Sequence, residues 1–283
     1  MDSIQSVKQR FEIIGNNNKL NRALEKSIQV SNSDISVLVT GESGVGKENI
    51  PKIIHQYSHR KHAKYIAVNC GAIPDGTIDS ELFGHEKGAF TGAEKKTTGM
   101  LAEANGGTLF LDEIGDIPME AQRLLIDAVE SKTFRPLGSK DTQHSDFQLI
   151  CATNRDIEEM LASNKLSQDF YYRISSYEFT IPPLKERPDD IAVILRDLLA
   201  TRDYMGLVLD EMAIDELMFY LKKSSLPENI RGVQKILDHL VLKSQIPENH
   251  NLTAKEVKKY FDENKEPTLD DDFTDAVRQS LLH

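Results

Sequence analysis

The most constraining feature of this chain is a junction. A short β-branched run, Ile35 to Val39, leads straight into Gly41-Glu42-Ser43-Gly44-Val45-Gly46-Lys47-Glu48, and a helical pattern of Ile50, Ile53, Ile54 and Tyr57 opens directly after it. A strand that passes through a glycine-rich loop into a helix brings backbone N–H groups and the positive helix N-terminus to one point. Such a loop is suited to phosphate, with the Lys47 ammonium as a point charge for the outer oxygens. One position departs from the general pattern: Glu48 stands where a Ser or Thr hydroxyl commonly reaches Mg²⁺.

The remaining apolar runs place this junction in a sheet. Tyr65 to Val68, Thr108 to Leu111, Phe147 to Cys151 and Tyr177 to Ile181 are short and bounded by Gly, Asn, Asp or Pro, with helical patterns between them. Strands alternating with helices imply a parallel sheet covered on both faces. After Ile181 the strand signal stops. The segment PPLKERPDD marks a boundary, and beyond it only helical patterns are expected, through Val257 to Phe261. The fold class is therefore α/β, a parallel sheet followed by a small all-helical domain.

A second cluster completes the first. The run Thr108 to Leu111 ends in Asp112-Glu113, and ligands of open α/β sheets bind at the C-terminal ends of strands. Asp112 would hold Mg²⁺ through water and Glu113 would polarise an attacking water. Taken alone, the pair would more simply be an acidic turn. Between the two clusters, Gly88-Ala89-Phe90-Thr91-Gly92-Ala93 sets one large aromatic among glycines, which suits either contact with a partner or a turn whose Phe packs back.

Composition excludes other classes. Of 283 residues, 34 are Lys or Arg and 45 Asp or Glu, a net charge of −11, which disfavours a free-standing nucleic-acid binder. Two cysteines, Cys70 and Cys151, cannot make a disulfide framework, and both read as small core residues. No run approaches the ~20 apolar residues of a membrane span, and no signal peptide opens the chain, so the cytoplasm is the expected compartment. His55, His59 and His62 have spacings that one helix face could offer a metal, but they are read as a solvated helix end.

SELFGHEKGAFTGA (Ser80 to Ala93) resembles the hallmark loop in the central ATPase domain of the sigma-54-dependent transcription activators, the bacterial enhancer-binding proteins or NtrC family of AAA+ ATPases. IIGN (Ile13 to Asn16), GESGVGKE, VNCGA, GGTLFLDEIGDIP, RPLGS, CATNRD and IPPLKERPDDI are similar to the same family, over roughly residues 11–245. The resemblance implies an AAA+ P-loop domain at 13–182 and a helical lid at 183–263, with an N-terminal extension at 1–12 and a polar edge at 264–283. ATP would be held by Ile14, Gly15, residues 41–48, Ile230 and the sensor II arginine Arg231. Asn69 would restrain Glu113, and Thr153 and Asn154 would form sensor I. Arg173 would act as an arginine finger on a neighbouring subunit of a hexameric ring. Residues Gly88 to Ala93 would push on the sigma-54 RNA polymerase holoenzyme, Phe90 and Thr91 making the contact.

Two departures from the family pattern stand out. Ser167 occupies the place of a usual first arginine, and Glu228-Asn229-Ile230-Arg231-Gly232-Val233 replaces Gly-Asn-Val-Arg-Glu-Leu. Ser167 leaves open a nucleotide-gated module with little turnover, and a motor acting on another protein client is the further alternative. No receiver or helix-turn-helix module is expected within this length.

Overall fold

The computed structural model describes residues 3–74, 76–201, 208–226, 228–243 and 251–264. Its strands are β1 Val37–Thr40, β2 Tyr65–Asn69, β3 Gly84–His85, β4 Thr97–Thr98, β5 Thr108–Asp112, β6 Thr133–Phe134, β7 Gln143–His144, β8 Gln148–Thr153, β9 Tyr177–Thr180, β10 Val208–Leu209 and β11 Asn251–Leu252. The helices are α1 Ile4–Arg10, α2 Asn18–Val30, α3 Asn49–Tyr57, α4 Ile78–Phe83, α5 Met100–Glu103, α6 Met119–Ser131, α7 Ile157–Ala162, α8 Gln168–Ile174, α9 Pro188–Thr201, α10 Glu211–Lys223, α11 Asn229–Lys243 and α12 Ala254–Glu263.

Five strands form one sheet in the order β2-β5-β8-β1-β9, all parallel. Side chains alternate across a strand, and the core divides accordingly. Leu38, Leu109, Leu111 and Cys151 enter one apolar cluster with α4, α5, α6 and α8. Val37, Val39, Phe110, Ile150 and Ala152 enter another with α1, α2 and α3. Helix α2 shows how the pattern encodes its place: Leu20, Ala23, Leu24, Ser27 and Val30 are buried on one face, and the Asn17 side chain caps its start by accepting from Lys19 N. Val7 of α1 lies in the second cluster, so part of the segment read as an extension is packed into the core.

Residues beyond Pro183 build a third cluster from α9 to α12, including Leu195, Leu217, Val233, Leu237 and Val257. This portion is not purely helical. Strands β10 and β11 pair in parallel over two residues each, a signal too short to register as a strand in the sequence. Most of the polar edge read at 264–283 lies outside the described residues.

The histidine reading holds for His59 and His62, which are exposed, and needs correction at His55. His55 is buried, its Nδ1 lies 2.9 Å from Thr108 Oγ1, and its ring meets Tyr65 at 5.4 Å. Helix α3 turns His55 toward the sheet, and among the described residues no group of three or more His, Cys, Asp or Glu could hold a metal. Burial lowers the His55 pKa from its ordinary 6.5, so the folded chain favours neutral imidazole. Its stabilising contribution is fully present above pH 6.5 and is lost as pH falls through the lower folded-state value. His55→Asn is expected to flatten the acid limb of a plot of melting temperature against pH. Equal slopes for the two proteins would refute this. Both cysteines are buried, and burial pushes the Cys70 thiol up to about 12, with Asp112, Asp116 and Glu113 adding to the effect.

Candidate functional site

Parallel register sets the sequence-identified residues in a row. Asn69 pairs with Asp112 across β2 and β5, and Thr40 pairs with Thr153 across β1 and β8. The C-terminal strand ends therefore bring Asn69, Asp112, Glu113, Thr153, Asn154 and the 41–48 loop to one edge. Thr153 is the last residue of β8 and is buried; its hydroxyl accepts from Arg155 N at 3.1 Å. It caps the strand end, while Asn154 beside it is exposed.

Lys47 is buried in the loop, its Nζ donating to Gly41 O at 2.7 Å and Glu42 O at 2.9 Å. Burial lowers its pKa, opposed by the nearby charges of Asp112, Glu48 and Glu113. Gly44 (φ 74°) has no room for a side chain, since a Cβ there would collide with Glu228 O. The Glu42 carboxylate turns away from the loop interior. Lys185 reaches it at 2.7 Å and Asn229 Nδ2 at 3.1 Å, and the Lys185 hydrogen bond holds its pKa below the ordinary carboxylate value.

Glu113 sits in the left-handed region at φ 57°, ψ 48°, a conformation that costs a non-glycine residue on the order of 1–3 kcal/mol when the surroundings enforce it. Its N–H donates to Asp112 Oδ1 at 2.9 Å. Its carboxylate lies over Gly71, where a Cβ would collide with Glu113 Oε2. Gly71 lies within the VNCGA stretch, where no local pattern signals the need for glycine. Asn69 is adjacent, but its Oδ1 accepts from Ala72 N at 3.2 Å, and among the described residues no hydrogen bond joins it to Glu113.

A cavity of about 1060 Å³ runs along the loop, lined among others by Ile14, Gly15, Gly44, Val45, Gly46, Glu48, Ile230 and Arg231. Arg231 reaches Ser43 Oγ at 3.3 Å. Three residues missed in the sequence support the cavity wall. Lys8 Nζ holds Gly15 O at 2.7 Å, Asp190 Oδ1 accepts from Asn16 N at 2.6 Å, and Arg187 donates to Val45 O at 3.3 Å. Burial lowers the pKa of Lys8, with Asp190 acting against the shift.

Arg173 does not reach the phosphate loop of its own chain. It pairs with Glu130 of α6 and lines a separate depression with Arg123, Asp127, Asp169 and Tyr172. Ser167 caps the helix that carries it, accepting from Phe170 N at 3.1 Å.

The 88–93 loop stands on the two-residue pair β3·β4. Gly88 N–H bonds Ala93 O at 2.8 Å and Ala93 N–H bonds Phe90 O at 3.0 Å. Its base rests on the segment that contains Leu137 and Gly138, with Glu86 N donating to Leu137 O at 3.0 Å. Ala89 packs so closely on Gly138 that a Cβ at 138 would lie 2.8 Å from its own. Phe90 divides between the two readings: it is 45% exposed, yet its ring meets His85 edge-on at 5.0 Å. Thr91 and Gly92 are exposed, whereas Ala93 is buried.

A parallel sheet with this loop, these strand-end carboxylates and a helical C-terminal portion defines an AAA+ P-loop NTPase fold. The crystal structure of NtrX from Brucella abortus superposes with a TM-score of 0.75 at 25% identity, covering 89% of this chain and 57% of that one. Its complex with ATP gives 0.74, also at 25% identity, over 89% of this chain and 58% of that one. Residues 13–180 match the sigma-54 interaction domain, and the chain belongs to that family. It is 39% identical over 230 residues to the transcriptional regulator VasH of Vibrio cholerae, covering 80% of this chain and 43% of that protein. It is 40% identical over 233 residues to the Nif-specific regulatory protein of Bradyrhizobium diazoefficiens, covering 81% and 39%. The chain thus spans less than half the length of these curated relatives. Among the described residues no helix is long and apolar enough to cross a membrane.

Proposed function

We propose that this chain is an ATP-hydrolysing motor that works as a homo-oligomeric ring, six subunits by family habit, and remodels the sigma-54 RNA polymerase holoenzyme in the cytoplasm to activate transcription. Residues 13–182 are its nucleotide-binding domain and 183–263 its lid. The observation that carries the reading is the meeting of Lys47, Asp112 and Glu113 at one sheet edge beside the cavity lined by Ile14, Gly15, Ile230 and Arg231.

The base of ATP lies toward Ile14, Gly15 and Ile230, and the phosphates toward the N–H groups of residues 43–48 and Lys47. Asp112 suits Mg²⁺: one carboxylate, with waters and phosphate oxygens making up the shell, is the habit of that ion, and Asp112 Oδ2 is not used by Glu113 N. The ion, when bound, neutralises phosphate charge. Glu113 orients and polarises the attacking water, held at its angle by the left-handed backbone and by Gly71. Asn154 and Arg231 report the outer phosphate, and Arg173 serves the nucleotide of the next subunit.

Transmission to the 88–93 loop follows the chain. Gly71, against which Glu113 packs, is followed by α4, whose buried Ile78, Leu82 and Phe83 lead directly into β3 at the loop base. In this reading a change at Glu113 reaches Phe90 and Thr91 by way of α4, whose buried Ile78, Leu82 and Phe83 end at β3. The test is Thr91→Ala. ATP turnover is expected to stay near wild type while co-elution with sigma-54, formed with a transition-state analogue of ATP, is lost. Co-elution of the variant equal to that of wild type would overturn the loop assignment.

A further inference from the structure

A loop that turns its N–H groups inward to hold phosphate leaves carbonyls facing outward, and a carbonyl shielded from water needs a donor. Here the donors come from the helical C-terminal portion. Ser43 O accepts from Asn229 Nδ2 at 3.0 Å, Gly44 O from the Ile230 N–H at 3.2 Å and Val45 O from Arg187 at 3.3 Å. Three successive carbonyls of the loop are therefore held from one side.

Asn229 is the centre of this arrangement. It is 1% exposed and sits at φ 52°, a left-handed conformation that Asn tolerates better than most residues. Both polar atoms of its side chain are engaged. Oδ1 accepts from Leu184 N at 2.5 Å, and Nδ2 donates to Glu42 Oε2 at 3.1 Å as well as to Ser43 O. Leu184 opens the turn that joins the sheet to α9, and Lys185 in that turn pairs with Glu42 at 2.7 Å. One buried amide thus ties together the phosphate loop, the connecting turn and the start of α11. The next two residues, Ile230 and Arg231, line the cavity.

We infer that Asn229 is a positioning residue for the phosphate loop. By drawing Glu42 and the Ser43 carbonyl outward, it sets the loop with its N–H groups toward the cavity before nucleotide arrives. It also makes the loop and α11 move as one body, so that Arg231 keeps its place relative to the phosphates. Arg187 acts alongside it at Val45, and Asp190, one turn further on, holds the N–H groups of Asn16 and Asn17 on the base side. The inference deepens the ATP-binding reading of this cavity and rests on it.

Equilibrium affinity for a fluorescent ATP analogue, together with kcat and KM, tests it in wild type, Asn229→Asp, Asn229→Asp with Glu42→Gln, and Lys47→Ala as the reference for lost phosphate binding. Asp at 229 keeps the acceptor for Leu184 N and the backbone preference, but sets a carboxylate against Glu42 and Ser43 O. Affinity is expected to fall roughly ten- to hundredfold, the range for losing a buried hydrogen bond, with KM rising in step and kcat at saturation changing much less. Adding Glu42→Gln restores a donor opposite the new carboxylate and is expected to recover affinity several-fold. Wild-type affinity in Asn229→Asp, or no recovery in the double variant, would overturn the inference. Should Asn229→Asp fail to fold, Asn229→Gly keeps the backbone conformation without the amide; the same fall in affinity is expected of it, and wild-type affinity there would overturn the inference. Failure of wild type itself to bind the analogue would instead remove the ATP reading.

Discussion

Glu113→Gln is expected to lower ATP turnover by about 10²–10⁴-fold, the usual contribution of a positioned general base, while nucleotide affinity and melting temperature stay close to wild type. The substitution is nearly isosteric, so the left-handed turn at φ 57° and the contact over Gly71 persist. What changes is chemistry: an amide neither draws a proton from water nor carries the charge that orients it. The carboxylate is directed by its backbone and by the Asp112 acceptor for its N–H, and among the described residues no side-chain hydrogen bond holds it. Binding should therefore survive its neutralisation. Steady-state turnover and equilibrium binding, measured on the same preparation, decide the matter. Turnover within a few-fold of wild type would remove Glu113 from the reaction; joint loss of binding and turnover would give it a structural role instead.

The sheet was legible because each strand announces itself locally. The runs at 35–39, 65–68, 108–111, 147–151 and 177–181 lie within two residues of β1, β2, β5, β8 and β9 at either end. The phosphate loop was legible for the same reason, since strand, glycines and helix are contiguous. What escaped reading depends on partners far along the chain. Asn229 meets Glu42 and Ser43, Asp190 meets Asn16, and Lys185 meets Glu42. No local pattern encodes such pairs, and a buried amide in a left-handed turn looks in sequence like any loop asparagine. The burial of His55 is hidden by exposed His59 and His62 after it, whereas the helix face that carries His55 meets Thr108 and Tyr65 on the sheet. At Phe90 exposure and packing coexist, through the ring contact with His85, and nothing in the local sequence chooses between them.

Arg173→Ala is expected to reduce turnover by about 10³–10⁵-fold, the range attributed to arginine fingers, with nucleotide affinity and fold retained. The expectation rests on the proposed action on a neighbour. Arg173 lies with Glu130 in a depression that none of residues 41–48, 112 or 113 lines. Ser167, where the family usually has a second arginine, caps α8 through Phe170 N and thus helps hold the helix from which Arg173 projects. The site would then rely on one arginine, and losing it would leave no reserve. The decisive experiment is complementation in mixed rings. Arg173→Ala retains a nucleotide site but lacks the finger, and Lys47→Ala retains the finger but lacks the site; each alone should be nearly inactive. Mixed together, they should regain a measurable share of wild-type turnover at subunit junctions that pair an intact site with an intact finger, and wild-type specific activity should rise with protein concentration as rings assemble. A mixture no more active than its two components would place Arg173 on its own chain's nucleotide or outside catalysis. A specific activity independent of concentration across the assembly range would remove the requirement for a ring.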